Sequence, residues 1–322
     1  MATGMSTNPA QRTIRLIGAP TDAGVGLRGA CLGPQALRLA GLMLALQQQG
    51  WHVEDREDLQ GPVRLMQPAP SGCDQLQEVH IWNRQVFDAV QESLDRGQLP
   101  VLLGGDHSLA IGSVAAVAQD CRRRGKPLAL VWLDAHADCN TPATSPSGHL
   151  HGMPLACLLG YGPEALVQLS GAVPVLRPDQ VCLLGVRSID PGEETFLQSH
   201  PVRVVRMRGP QDGDRMEEAL GQWLAGIDPD THVHLSLDLD VLDPVFAPGV
   251  STPEPAGLTA VQALACMRLL GQCRLVGSVD LVELNPARDV HQQTARLGVA
   301  LLARLLAAPD QNTQSSADVI SR

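Results

Sequence analysis

The chain has 322 residues and a mass of 34.2 kDa, enough for one large α/β domain or two small ones with a substantial core. Apolar residues make up 44% and aromatics only 2%, so the interior is to be built from Leu, Val, Ala and Ile, and a disordered chain is excluded. A formal net charge of −10 leaves no basic stripe for phosphates, which excludes nucleic acid as partner, and no apolar stretch reaches transmembrane length.

No cationic stretch followed by an apolar one opens the sequence, and the eight cysteines (31, 73, 121, 139, 157, 182, 266 and 273) form no Cys-x-x-Cys pair. Both features point to a cytoplasmic protein with reduced thiols. Residues 1–12 are polar and read as a disordered N-terminus. Apolar β-like runs follow at 13–17, 99–103, 128–133, 180–185, 202–205, 231–237 and 274–281. Helical patterns lie between several of them, at 33–48, 79–96, 111–123, 216–225, 259–270 and 293–307, and residues 309–322 read as a polar tail. Strands alternating with helices at this spacing imply βαβ units. The fold expected over 13–308 is a single-domain, three-layer α/β/α arrangement with a mostly parallel sheet. One domain is favoured because the polar motifs run from 104 to 283 without a linker and have to meet.

Three connections, 18–33, 139–154 and 242–258, are longer than compact domains usually carry, which marks them as loops that wrap a site. The glycines of 18–33 form neither Gly-x-Gly-x-x-Gly nor a Gly-Lys-Ser/Thr cradle and read as turn chemistry.

Apolar runs end in Gly-Gly-Asp-His-Ser at 104–108, Asp-Ala-His-Ala-Asp at 134–138 and Asp-Leu-Asp at 238–240, which together supply seven side chains able to bind a hard metal. In an extended strand, positions i, i+2 and i+4 share a face, so Asp134, His136 and Asp138 converge, as do Asp238 and Asp240. Buried carboxylates need cations. The four aspartates Asp134, Asp138, Asp238 and Asp240 would be neutralised by two divalent ions, with His107 and His136 adding imidazole nitrogens. Oxygen and nitrogen donors without thiolate favour manganese over iron, cobalt, nickel or zinc. Two ions sharing a carboxylate lower the pKa of a water held between them, giving a hydroxide that attacks an sp² carbon or a phosphorus. Hydrolysis is therefore the leading reaction class. No Arg or Lys cluster stands near to clamp a phosphate. Cys139 follows the second motif but alternates away from it and reads as packing rather than a nucleophile.

The segments at 104–108, 134–138 and Ser-Leu-Asp-Leu-Asp-Val-Leu-Asp-Pro at 236–244 resemble the three signatures of the ureohydrolase (arginase/agmatinase) family. The likeness begins with Ile-Gly-Ala-Pro at 17–20, continues through Gly-Pro at 33–34 and Leu-Arg-Leu-Ala-Gly at 37–41, and ends with Glu-Leu-Asn-Pro at 283–286. It implies two manganese(II) ions, hydrolysis of a guanidinium to urea and an amine, and a homotrimer or homohexamer. Carried over residue by residue, Asp134 and Asp238 bridge the ions, His107 and Asp138 complete one, and His136 and Asp240 the other. Glu283 receives the guanidinium, an anionic partner for a group that stays protonated.

Within the family, the loop at 138–154 resembles arginases. Asn140, Ser145 and Ser147 match positions that hold the substrate α-carboxylate, and His151 matches a proton-shuttling histidine. Gly-Val-Arg-Ser-Ile-Asp-Pro-Gly-Glu at 185–193 resembles the segment facing the α-amino group, with Asp190 and Glu193 as its acidic contacts, and Thr252 joins the substrate-binding set. The implied substrate is L-arginine, cleaved to L-ornithine and urea. The chain departs from the arginase pattern at Ser188, where aspartate is common, and at His149, where asparagine is usual; Ser-Thr-Pro-Glu-Pro at 251–255 is closer to agmatinases and guanidino-acid hydrolases. Another guanidino substrate and a catalytically silent binding protein are the alternatives to be tested.

Overall fold

The computed structural model describes residues 12–62 and 75–307. The tail at 309–322 and all of the N-terminal segment except Arg12 lie outside those residues. Arg12 itself is buried, its Nη2 donating to the carbonyls of Gln98 and Gly277 at 3.2 Å each.

Eight strands form one sheet: β1 (Thr13–Ala19), β2 (His52–Asp58), β3 (Leu99–Gly104), β4 (Leu128–Leu133), β5 (Val181–Val186), β6 (Arg203–Arg206), β7 (His232–Asp238) and β8 (Val276–Val282). Their order is β2-β1-β3-β8-β7-β4-β5-β6, and every pairing is parallel. Strands β3, β4, β5 and β7 are buried at every residue; β3, β4 and β5 accordingly read as nearly unbroken apolar runs, whereas β7 alternates buried His232, His234 and Ser236 with apolar residues.

The helices are α1 (Gly33–Leu39), α2 (Leu42–Gln48), α3 (Leu76–Asp95), α4 (Ala110–Arg124), α5 (Pro154–Leu158), α6 (Glu164–Val167), α7 (Pro191–Ser199), α8 (Gly213–Ala225), α9 (Ala260–Cys273) and α10 (Gln293–Leu305). Side chains of α3 to α7 pack on one face of the sheet, those of α1, α2, α8, α9 and α10 on the other. The sorting follows from handedness. Right-handed crossovers put the helix on one face when the chain steps toward β6 and on the opposite face when it steps toward β2. From β4 the chain moves toward β5, whereas from the adjacent β7 it moves toward β8, so a crevice opens beyond the carboxyl ends of these two strands.

The structure corrects the predicted elements in four places. The single helix expected at 33–48 is two, because Gly41 adopts φ 92° between α1 and α2. Strand β2 was not predicted; its sequence, His-Val-Glu-Asp-Arg-Glu-Asp, carries one apolar residue, and it forms one edge of the sheet. Helices α5, α6 and α7 lie where the sequence pattern predicts no helix. Residues 134–138 are not strand: β4 stops at Leu133, and Asp138 takes a left-handed φ of 51°. Among the described residues no helix is long and apolar enough to cross a membrane.

Candidate metal centre

Four neighbouring strands deliver the polar motifs to one point. His107 follows β3 in a short 3₁₀ turn, Asp134 directly follows β4, Asp238 ends β7 with Asp240 in the next turn, and Glu283 directly follows β8. Two clusters result, His107 with Asp134 and Asp238, and Asp134 with His136 and Asp240; within each, one ligand atom from every residue lies within 4.8 Å of the others. Asp134 belongs to both. Asp138 joins the first cluster, its Oδ2 lying 3.2 Å from His107 Nδ1.

Main-chain amides, not strand alternation, aim these carboxylates. The His136 amide donates to Asp134 Oδ1 at 2.6 Å, the Ala135 amide to Asp240 Oδ1 at 3.1 Å and the Asp240 amide to Asp238 Oδ1 at 2.7 Å. A Cβ at Gly105 would sit 1.7 Å from the Thr21 carbonyl oxygen, so only glycine lets the 18–33 connection cross here. Asp106, one of the seven candidate ligands, is outside both clusters. Its carboxylate accepts from the Gly24 amide at 2.9 Å and the Ser108 amide at 3.0 Å, tying the first long loop to the turn that carries His107.

The clusters fit divalent cations. Among the described residues His107 Nδ1 is buried without a hydrogen-bond partner, facing carboxylate oxygens of Asp134, Asp138 and Asp238 at 3.1, 3.2 and 3.2 Å, while its Nε2 lies 2.9 Å from Ser236 Oγ. A buried nitrogen lone pair surrounded by oxygen donors is what a hard or borderline metal binds. The electrostatics agree. Burial alone lowers the pKa of His107, but Asp134, Asp138 and Asp238 outweigh it and raise it well above the ordinary value. His136 follows the same pattern, with Asp240 and Asp134 overriding burial. Burial and then the charge of Asp134 push the Asp138 carboxyl up to about 7, and burial with Asp240 and Asp134 pushes Asp238 up strongly. The cage carries more negative charge than it can hold without cations.

Beside it stands a carboxylate that is not a ligand. Glu283 adopts φ 64°, and its Oε1 accepts from the His107 amide at 2.8 Å and lies 3.4 Å from His151 Nδ1. Its Oε2 is buried with no hydrogen-bond partner among the described residues. Burial would raise the Glu283 pKa, yet His151 and the His107 amide hold it below the usual range. For His151, burial lowers the pKa but the hydrogen bond and charge of Glu283 prevail, lifting it to about 9. A raised histidine pKa stabilises the fold fully below the unfolded value near 6.5, and that stability is lost as pH rises through about 9. In metal-free protein, His151→Asn should therefore cost on the order of 3 kcal/mol at pH 6 and little above pH 9, measured by urea unfolding across that range. A cost independent of pH would refute the ion pair.

The remaining sequence candidates lie in the segments that follow β4, β5 and β7. Asn140 Nδ2 donates to Asp190 Oδ2 at 2.8 Å. Glu193 spends both oxygens on main chain, Oε1 on the Cys139 amide at 3.1 Å and Oε2 on the Asp190 amide at 3.0 Å. Ser145 and Ser147 sit in the outer loop with their hydroxyls 3.5 Å apart, and Ser147 is exposed beside a cavity of about 200 Å³ that His149 and Gly24 also line. Thr252 Oγ1 donates to Asp240 Oδ2 at 3.0 Å, so it touches a candidate ligand directly. Cys139 is buried, and burial followed by Glu193 pushes its thiol far up, which fits packing.

Three contributors escaped the sequence reading. Trp132 stacks on His107 with centroids 4.2 Å apart, and its Nε1 donates to Asp134 Oδ2 at 2.8 Å. Arg187 donates to six main-chain carbonyls, among them Asp240 at 2.7 Å and Glu254 at 2.9 Å. Glu254 itself lies beside His136. Trp132 and Ser236 each stand two residues before a ligand aspartate, so strand alternation was the signal for both.

Known proteins resemble this chain along the whole domain. The model of the arginase family matches residues 12–308. The arginase of Bacillus caldovelox is 40% identical over 301 residues, 91% of this chain and 98% of that protein; the arginase of Bacillus subtilis is 38% identical, covering 92% and 98%. The crystal structure of the Bacillus caldovelox enzyme superposes with a TM-score of 0.85 over 92% of this chain and 99% of that one, at 38% identity. An Entamoeba histolytica arginase crystallised with L-ornithine gives 0.82 at 30% identity, covering 92% and 99%. With likeness of this extent in sequence and in backbone, over the domain that gathers the strand-end ligands, the chain belongs to the arginase family.

Proposed function

We propose that this protein is an arginase that hydrolyses L-arginine to L-ornithine and urea, using two manganese(II) ions held by His107, Asp134, His136, Asp138, Asp238 and Asp240. The observation that carries the reading is the buried Oε2 of Glu283 beside the metal cage, which has no hydrogen-bond partner among the described residues and so leaves one carboxylate oxygen open to a further cation while His151 faces Oε1. A guanidinium is the cation it suits, being planar and protonated at neutral pH. When bound, the ions acidify a water for attack on an sp² carbon and stabilise the charge that develops there.

The chain's own residues supply the rest. Glu283 orients the guanidinium carbon over the cage. His151 keeps its proton at neutral pH and delivers it to the departing amine as the carbon–nitrogen bond breaks. Asn140, Ser145 and Ser147 offer neutral donors to the α-carboxylate. Asp190, held by Asn140 and the Glu193 cap, faces the α-ammonium, with the Glu193 charge behind it. The Entamoeba histolytica relative was crystallised with L-ornithine, the amino acid product of this reading. The assembly that fits the family is a homotrimer or homohexamer in the cytoplasm.

A second substrate deserves the same assay because His149 lines the outer cavity and Ser188 is uncharged. Purified protein loaded with manganese should release urea from L-arginine faster than from agmatine or guanidinobutyrate. Preference for guanidinobutyrate would move the assignment to a guanidino acid. No urea from any of the three, with both ions bound, would leave a binding protein.

A further inference from the structure

The two candidate ligand histidines are supported differently. His107 is buried and its outer nitrogen is held by Ser236. His136 is about a quarter exposed, its Nδ1 lies 3.0 Å from Asp240 Oδ2 and 3.4 Å from Asp134 Oδ1, and its Nε2 looks outward at Glu254 Oε1, 3.7 Å away. The Ser188 hydroxyl reaches the same carboxylate. Arg187 binds the main-chain carbonyls of both Glu254 and Asp240, so the loop bearing Glu254 is clamped to the turn bearing the ligand. The carboxylate thus stands on the far side of the imidazole from the cage.

We propose that Glu254 is a positioning residue for His136, accepting its Nε2 proton so that the Nδ1 lone pair is turned toward the metal and made a stronger donor. The inference rests on reading the two clusters as metal sites. A ligating histidine needs its other N–H engaged to fix tautomer and ring orientation, and loss of such a partner lowers metal affinity roughly 10- to 100-fold. The competing interpretation is a half-exposed ion pair of little consequence, as most surface pairs are. The two differ in which ion they affect: a positioning role weakens only the ion bound by His136 and Asp240.

The test is a titration of chelator-stripped full-length protein with manganese(II), free ion being followed by electron paramagnetic resonance. Wild type should bind two ions. Glu254→Ala should bind one of them about 10- to 100-fold more weakly and the other unchanged, with Glu254→Gln in between. Adding Ser188→Asp to the Glu254→Ala protein should recover about tenfold, since residue 188 lies beside the place that the Glu254 carboxylate occupies and an aspartate there would return an anionic partner to the imidazole. Stripped variants should unfold at the wild-type temperature, so weaker binding is not damage to the fold. Two ions at wild-type affinity in Glu254→Ala, or both ions weakened equally, would overturn the role of Glu254 while leaving the metal centre intact. Fewer than two ions in wild type would instead overturn the centre, and the inference with it.

Discussion

Replacing Asp134 with Ala should release both ions and lower arginine turnover by more than about 100-fold, the upper end of what losing an outer partner of a ligand costs. Asp134 is the residue common to the two clusters, with Oδ2 3.1 Å from His107 Nδ1 and Oδ1 3.4 Å from His136 Nδ1. Its removal also strips the Trp132 indole and the His136 amide of their acceptor, so the imidazoles lose orientation along with charge. Asp134→Asn separates the two effects in part. It keeps an acceptor oxygen for one of the two donors, which Ala does not, while removing the negative charge, and should still lose metal. Elemental analysis beside a urea assay reads both quantities, and two retained ions with full turnover in either variant would sink the ligand assignment.

Glu283→Gln should behave in the opposite way, keeping both ions while losing the substrate. The amide retains an oxygen for the His107 amide, so the turn after β3 stays in place. A guanidinium entering the site would then be buried without its counter-charge, a loss of roughly 3–5 kcal/mol. That corresponds to a fall of about two to three and a half orders of magnitude in kcat/KM. A variant within tenfold of wild type would show that the guanidinium binds elsewhere. The pair of substitutions thus divides the site into a part that holds metal and a part that holds substrate.

Much of this centre was legible in the sequence because its ligands end apolar runs, and buried parallel strands write themselves as such runs. The convergence of Asp134, His136 and Asp138 was expected for the wrong reason. Strand alternation predicted a shared face, whereas a turn with Asp138 at φ 51° and main-chain amides bring them together. Strand β2 was illegible because ion pairs hold it in place of apolar contacts: Arg15 meets Glu54 at 2.7 Å, and Arg38 meets Asp55 and Asp58 at 2.7 and 2.6 Å. Its pairing partners come from β1 and α1, far outside any local window. Glu254 was quoted within its segment, but only folding sets it beside His136, 118 positions earlier in the chain.

The two margins of the sheet bear on how copies of this chain share a crowded solution. One margin is β2, with Glu54, Asp55 and Asp58 paired to arginines; the other is β6, Arg-Val-Val-Arg, whose terminal arginines are exposed. A strand from another molecule could extend the ladder at either rim only by stripping water from those ionised groups. Growth by strand addition is therefore discouraged at both ends, and any ordered association has to be made by helices and loops.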